Sequence, residues 1–220
     1  MGRKAILTVV TIFSTLACAQ QIGKAVSEHH PRLPTSVCTV KGGCVKQQTQ
    51  VVLDAFSRNI HKVGDPSVSC GNSGYLDPTL CGNATSCAAN CALEGIDYTA
   101  HGLQTKGDTL ILNQFLKGAD GNYSVVSPRA YLLDPDGKDY ESYKMLAKEM
   151  SFDVDVSKLV CGMNGALYLA EMDETGGRSK LNPAGAAYGT GYCDAQCPKL
   201  AWIDGVVSRL IKQDQPRSMG

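Results

Sequence analysis

Six cysteines crowd into residues 38 to 91, at Cys38, Cys44, Cys70, Cys81, Cys87 and Cys91, and no other feature limits the fold as sharply. Close spacing in a stretch rich in Gly, Asn and Ser points to local loops, and favours turns and short irregular strands over helices. Cys161, Cys193 and Cys197 stand apart, and Cys18 belongs to the N-terminal run. Disulfides persist in oxidising compartments, so this usage asks for an export route. Residues 1–19 offer one, with Arg3 and Lys4, the apolar run Ala5 to Leu16 and a small-x-small site at Ala17-Cys18-Ala19. Too short to span a bilayer, this run reads as a secretory signal. Cleavage after Ala19 leaves a secreted product that starts at Gln20 and keeps nine of the cysteines. An odd number implies an intermolecular partner, a free thiol or a partner outside this sequence. Cys193-x3-Cys197 is not read as a zinc site, because no His follows at ligand spacing, and no metal or cofactor is expected.

Composition narrows the function. The 220 residues are 43% hydrophobic, enough for a real core, and 21 basic residues balance 21 acidic ones. With no Lys/Arg run longer than two there is no footprint for phosphate neutralisation, which excludes nucleic acid as a partner. No later stretch approaches 18 uninterrupted apolar residues, so no membrane partner is expected either. Two sequons, Asn83-Ala84-Thr85 and Asn122-Tyr123-Ser124, lie in polar, turn-rich segments as candidate glycosylation sites. No repeat, heptad or low-complexity linker divides the chain, which reads as one domain after the signal.

From about residue 109 apolar residues begin to alternate. Thr109 to Leu116 is a candidate strand, and Ala130 to Leu133 another that ends at the turn Asp134-Pro135-Asp136-Gly137. Phe152-Asp153-Val154-Asp155-Val156 places apolar side chains on one face and carboxylates on the other, the pattern of a solvated strand face. In Gly165 to Asp173, Ala166, Tyr168, Ala170 and Met172 share one face, and Leu167, Leu169 and Glu171 the other. Asn164 has the parity of Tyr168. With the leucines in the core these two look out as a polar-aromatic pair suited to a sugar; Tyr168 covering a sheet edge is the alternative that parity leaves open. Only Asp139 to Lys148 has helical character, while Val52, Phe56 and Ile60 fit a helix or a strand. The pattern as a whole predicts an all-β sandwich.

Four blocks carry a resemblance: Ser127-Pro128-Arg129-Ala130-Tyr131-Leu132-Leu133, Phe152 to Val156, Cys161-Gly162-Met163-Asn164-Gly165-Ala166-Leu167-Tyr168, and Tyr188 to Pro198. In this order and spacing they resemble glycoside hydrolase family 7, the fungal secreted cellulases. Cys91 followed by Ala92, where chain-end cutters usually have a second Cys, is similar to the endoglucanase branch. The resemblance implies a concanavalin-like β-jelly-roll sandwich, incomplete here: residues 20–205 correspond to the N-terminal half of the family domain or less, and residues 206–220 resemble nothing in it. It further implies disulfides from Cys38 to Cys44, Cys70 to Cys91 and Cys81 to Cys87, and partners further along a longer chain for Cys161, Cys193 and Cys197.

Family members hydrolyse β-1,4-glucan with retention, through two glutamates on a Glu-x-Asp-x-x-Glu strand whose carboxyls lie about 5 Å apart. That motif normally follows the Gln196-Cys197-Pro198 block after a further stretch, so no catalytic residue is assigned in this sequence. Glu171-Met172-Asp173 imitates its first half, but Gly176 stands where the acid/base glutamate is needed and strand parity turns Glu171 away from Tyr168. Glu141 and Glu149 are no better motivated as a pair. By resemblance, Arg129, Asn164, Tyr168, Asp194 and Gln196 line the glucan cleft, a set of groups suited to hydroxyls and to the face of a sugar ring. One departure is Val52 to His61, where Ser57 and Asn59 occupy positions at which the family places tryptophans; Trp202 is the single tryptophan of the chain. The implied function is a secreted endo-β-1,4-glucanase by descent, acting on cellulose or cello-oligosaccharides and inactive as written. The competing readings are a non-catalytic, lectin-like glucan-binding protein and a chain without a stable fold.

Overall fold

A computed structural model describes residues 21–72 and 75–192 and the backbone of residues 202–203 and 206–207. The expected signal run, Cys193, Asp194, Gln196 and Cys197 lie outside the described residues. The strands, in chain order, are β1 (Gln21–Ile22), β2 (Thr35–Thr39), β3 (Gly43–Gln47), β4 (Gln50–Leu53), β5 (Ile60–Lys62), β6 (Asp65–Ser69), β7 (Gly71–Asn72) and β8 (Tyr75–Leu76). After the short helix α1 (Ala84–Asn90) follow β9 (Cys91–Leu93), β10 (Leu103–Lys106), β11 (Thr109–Leu112), β12 (Phe115–Lys117), β13 (Tyr123–Val125), β14 (Ala130–Leu133), β15 (Trp202–Ile203) and β16 (Val206–Val207). Among the described residues α1 is the single α-helix, so the mostly-β expectation holds.

Strand β4 organises the core. It pairs antiparallel with β14, placing Tyr131 opposite Val52 and Leu132 opposite Val51. Alternation sends Val51 and Leu53 to one side, where they pack with Ile96, Tyr98 and Leu103. Val52 points the other way, into a cluster with Leu133, Tyr140 and Ala186. The Val52, Phe56, Ile60 spacing therefore resolves as a strand, a 3-10 turn over Ala55–Ser57 and a second strand. Burial on both faces, which a strand achieves in three residues, decides against the helix.

A second sheet runs in the order β1-β9-β5-β6, with β1 parallel to β9 and the other neighbours antiparallel. Its core is Ile60, Leu76, Leu93 and Tyr188 around buried Cys70, Cys81, Cys87 and Cys91. All three disulfides implied by the resemblance are present, Cys38–Cys44 across the β2–β3 hairpin, Cys70–Cys91 and Cys81–Cys87. Helix α1 is capped by Asn83, whose side chain accepts from the Ser86 N–H at 2.9 Å, and it turns Cys87 inward to meet Cys81. Cys161 is free and exposed.

Residues 21–33 are strapped across this sheet by buried carboxylates. Glu94 accepts the N–H groups of Val26 at 3.0 Å and Ala25 at 3.3 Å, and His61 Nε2 at 2.7 Å. Glu28 takes Arg58 in a two-pronged pair at 2.5 and 2.9 Å, the Ile96 N–H at 3.1 Å and the Tyr98 hydroxyl. His30 Nε2 donates to the Ala187 carbonyl at 2.8 Å. Burial pushes the Glu94 carboxyl up, but the Val26 and Ala25 N–H groups and His61 outweigh it, and the net displacement is downward. Burial holds His30 below its ordinary 6.5, against the opposing pull of Ala187 and Glu28.

Several expectations are corrected. Thr109 to Leu116 is not one strand but β11 and the start of β12, split where Asn113 N–H turns to the Gly102 carbonyl at 2.8 Å. Asp139 to Lys148 forms no helix, because Tyr140 is drawn into a bridge with Leu133 and donates its hydroxyl to the Thr190 carbonyl at 2.6 Å. Phe152 to Val156 and Gly165 to Asp173 carry the strand pattern without a strand, since no described strand pairs with them and the backbone bonds they do make are local turns, Leu159 N–H to the Val156 carbonyl and Gly176 N–H to the Asp173 carbonyl. Leu167 and Leu169 are 50% and 60% exposed and Tyr168 is 70% exposed, so the parity argument that sent the leucines inward has no sheet to act on.

Acid should loosen the strap. Glu94, depressed in the fold, stabilises above its ordinary 4.5 and loses that contribution as pH falls through its folded value. His30, kept neutral, drains stability as the unfolded chain takes up its proton below 6.5. The melting temperature is expected to fall steadily from about pH 7 to about pH 4, and Glu94→Gln to lower it by roughly 2–8 °C at neutral pH with a shallower fall below about pH 5. An equally steep acid limb in Glu94→Gln, followed by circular dichroism, would contradict the assignment.

Candidate functional site

At the end of β4 a carboxylate follows three buried apolar residues. Asp54 is 3% exposed, and its Oδ1 accepts the Phe56 N–H at 2.7 Å, which starts the 3-10 turn. Its Oδ2 accepts Arg129 Nε at 2.7 Å, lies 2.7 Å from Arg129 Nη2, and also accepts the Tyr131 hydroxyl. The last two partners come from one face of a single extended stretch, because Arg129 and Tyr131 are two residues apart. Backbone pairing fixes the distance between the stretches, with the Asp54 N–H donating to the Arg129 carbonyl at 2.9 Å.

Arg129 is gripped at one end only. Its side chain is 41% exposed, and its guanidinium carbon lies 4.4 Å from the Tyr192 ring centroid and 5.7 Å from that of Phe56. The Tyr131 ring stands edge-on to Tyr140 at 5.5 Å and tilted against Tyr192 at 5.6 Å. Burial lowers the affinity of Arg129 for its proton, but Asp54 more than restores it, leaving the guanidinium firmly charged. Burial, then the Asp54 charge, pushes the Tyr131 phenol well above its usual range. Beside this cluster lies a shallow recess lined by Asp54, Ala55, Phe56, Gly189, Thr190, Gly191 and Tyr192.

The recess depends on Gly189. The 3-10 turn Gly185–Tyr188 ends there at φ +73°, and the Gly189 carbonyl accepts the Ala55 N–H at 3.0 Å. A Cβ at this residue would fall 2.1 Å from the Leu53 carbonyl oxygen, so only glycine permits the approach. Arg58, on the far side of the Ala55–Ser57 turn, lays its guanidinium 4.7 Å from the Tyr188 ring centroid, tying this turn to the Glu28 strap.

Of the residues expected at a sugar surface, Arg129 lies in this cluster. Asn164 and Tyr168 are exposed on the segment without sheet partners, with no hydrogen bond or ring contact among the described residues. Asp194 and Gln196 lie outside the described residues. Glu171 is exposed, and Asp173 serves a turn, accepting the Thr175 N–H at 2.8 Å and hydroxyl at 2.6 Å, which holds its carboxyl below the usual range. Burial, then the charges of Asp134 and Glu174, raise Glu141. The sulfurs of Cys81, Cys87 and Cys91 lie within 4.8 Å of one another, but all three are in disulfides and offer no thiolate to a metal. Asp54, Tyr131, Tyr192 and Phe56 are not among the residues expected at a sugar surface, although the two-residue spacing of Arg129 and Tyr131 and a carboxylate closing the run Val51-Val52-Leu53 are both visible signals.

The family model described as glycosyl hydrolase family 7 matches residues 22–219, a span that takes in nearly all of residues 206–220, where no resemblance was expected. The chain belongs to this family. Among similar proteins are a probable endo-beta-1,4-glucanase celB of Aspergillus clavatus, 56% identical over 191 residues that make up 86% of this chain and 45% of that protein, and the endo-beta-1,4-glucanase celB of Emericella nidulans, 52% identical over 91% of this chain and 47% of that one. The native endocellulase EGI of Humicola insolens superposes with a TM-score of 0.74 at 43% identity, over 86% of this chain and 47% of its own. A structure described as endoglucanase I complexed with cellobiose gives a TM-score of 0.75 at 42% identity, over 85% of this chain and 47% of its own. The chain thus spans about half the length of the relatives it matches, and its mostly-β architecture is that of the family's β-jelly-roll sandwich.

Asp54 is expected to govern the cluster. Asp54→Asn keeps the shape but removes the charge that Arg129 and Tyr131 face, and should destabilise the chain by about 1–3 kcal/mol. Without that charge the Tyr131 phenol should ionise at lower pH, read as phenolate absorbance in an alkaline titration. Titration unchanged from wild type would contradict the role given to Asp54.

Proposed function

We propose that the chain forms one wall of a β-1,4-glucan-binding cleft of the endo-β-1,4-glucanase type, and that bond cleavage requires a carboxylate pair that residues 21–192 do not supply. The reading is carried by Arg129, held by Asp54 on one edge and laid on the Tyr192 ring beside an open recess. Guanidinium donors for hydroxyls next to aromatic faces for the sugar ring are the two surfaces a glucan needs. Membership of a family whose similar members are named endo-beta-1,4-glucanases supports the substrate class. In this reading Asn164, Tyr168, Asp194 and Gln196 add further polar and aromatic contacts along the glucan, and residues 1–19 export the protein.

Retaining hydrolysis needs two carboxyls about 5 Å apart, one to attack the anomeric carbon and one to protonate the leaving oxygen. The one sequence that imitates the motif fails on two counts, since Glu171 sits on a segment without a sheet and Gly176 stands where the second carboxyl is needed. A non-catalytic glucan-binding protein is the second reading, favoured by the same Arg129 wall standing without that pair.

The purified chain should release no more reducing sugar from carboxymethyl-cellulose than buffer does. Cellohexaose should raise its melting temperature, and Arg129→Ala should remove that shift. Turnover that vanishes in Glu171→Gln would overturn the assignment of the chemistry. A cellohexaose shift that survives Arg129→Ala would overturn the assignment of the wall.

A further inference from the structure

The two sequons are motifs that the glucan reading leaves unused, and the fold treats them differently. Asn83 is the N-cap of α1, with Ala84 and Thr85 already inside the helix. Its Oδ1 accepts the Ser86 N–H at 2.9 Å, and its own N–H donates to the Ser86 hydroxyl oxygen at 3.1 Å. This sequon also lies inside the loop closed by Cys81 and Cys87, which are only six residues apart. A loop so short closes at low entropic cost and needs nothing from the rest of the fold. Once closed, it holds Asn83-Ala84-Thr85 in a capped helical turn. Asn122 stands in the opposite situation, at the tip of the β12–β13 hairpin. There the Gly118 N–H donates to the Asn122 carbonyl at 2.7 Å and the Asn122 N–H to Asp120 Oδ1 at 3.0 Å. Every residue from Lys117 to Val125 is exposed. No cysteine stands between Cys91 and Cys161, so no crosslink closes over this hairpin, whose ladder is three residue pairs long. The Asn122 Nδ2 gives one hydrogen to Asp120 Oδ2 at 2.8 Å, and its second hydrogen has no acceptor among the described residues.

We propose that Asn122 carries an N-linked oligosaccharide and that Asn83 stays bare, its sequon shut by the Cys81–Cys87 loop before a transferase uses it. The inference rests on export by residues 1–19 and is independent of the glucan reading. In the transfer, Nδ2 bonds to the anomeric carbon of an N-acetylglucosamine held on a lipid pyrophosphate. The bond from that carbon to the pyrophosphate oxygen breaks, and one Nδ2 proton leaves. The proton that remains on Nδ2 is enough to keep the bond to Asp120, so the tip accepts the sugar without losing its turn. The position of the sugar also gives it a use. Exposed tips of small and polar residues are where proteases nick a chain, and this tip opens with Lys117-Gly118. Gly118 is bonded to Asn122 across the tip, so a bulky group on Asn122 stands beside that peptide bond and hinders its cleavage.

The test is to express the full chain in a secreting yeast and to treat it with peptide N-glycosidase in heavy-oxygen water, which turns each glycosylated Asn into a labelled Asp that peptide mapping locates. The label should appear at Asn122 in most molecules and be absent from Asn83. Ser124→Ala destroys the sequon but keeps Asn122 and its bonds to Asp120; it should lose the label and be nicked by trypsin after Lys117 several-fold faster. Ser124→Thr should match the wild type in both respects. Cys81→Ser combined with Cys87→Ser, read in whole-cell extract so that folding does not decide the outcome, should bring the label to Asn83. Label at Asn83 in the wild type, or an Asn83 still bare in the double variant, would overturn the role given to the disulfide loop. Equal nicking of Ser124→Ala and wild type would overturn the shielding. A chain cut after Ala19 yet bare at Asn122 would sink this proposal alone, whereas a chain that keeps residues 1–19 and carries no label would sink the export reading and this proposal with it.

Discussion

A strand buried on both faces that ends in a carboxylate is the constraint on which the described structure turns. Val51, Val52 and Leu53 are 1%, 0% and 0% exposed, and Asp54 follows them before the chain can reach solvent. Leaving that charge unpaired in an apolar setting would cost several kcal/mol, on the order of the stability of a whole domain. The pairing of β4 with β14 answers both demands at once. It closes the ladder that a two-faced strand requires, and the stretch leading into it delivers Arg129 and the Tyr131 hydroxyl to one Asp54 oxygen.

The surface that carries Arg129 is therefore a consequence of how the core is closed. Asp54 and Arg58 flank the Ala55–Ser57 turn, one holding Arg129 and the other reaching Glu28. Gly189 brings the turn Gly185–Tyr188 against Leu53 and Ala55, and with it Tyr192 comes to the guanidinium of Arg129. Tyr188 receives Arg58 from the opposite side, so the strap of residues 21–33 and the recess share one short turn. Two ion pairs with buried carboxylates, one on either side of three residues, make this turn a firm mount for a polar surface, the kind of support a binding site needs.

What could be read in the sequence depended on how local its cause was. Ala130 to Leu133 is a strand in the structure because its alternation matches a neighbour, β4, that lies in the same chain. Phe152 to Val156 has cleaner alternation and no strand, because periodicity states which face wants cover but not whether cover is present. Thr109 to Leu116 misled in a smaller way, since the apolar residues of two hairpins stand only two positions apart, across Asn113 and Gln114, and the Asn113 bond to Gly102 separates them. The disulfide pairing came from family resemblance and agrees with the structure, whereas spacing alone had left it open. At the site, Arg129 was legible through its block, but Asp54 was hidden at the end of an apolar run where a single acidic residue reads as a turn. Its partners lie 75 and 77 residues further along, a separation that no local pattern reports.

The dependence of the fold on β4 is most directly tested by native-state hydrogen exchange of the backbone amides. The N–H groups of Val51 and Asp54, held by the Pro31 and Arg129 carbonyls at 2.9 Å each, should exchange only through global unfolding, with opening free energies equal to that of the whole chain. Amides of the β2–β3 hairpin, whose side chains are mostly exposed, should open at lower cost. Exchange of Val51 and Asp54 as fast as that of the hairpin would contradict the account, because the wall that carries Arg129 would then be hung on something other than β4.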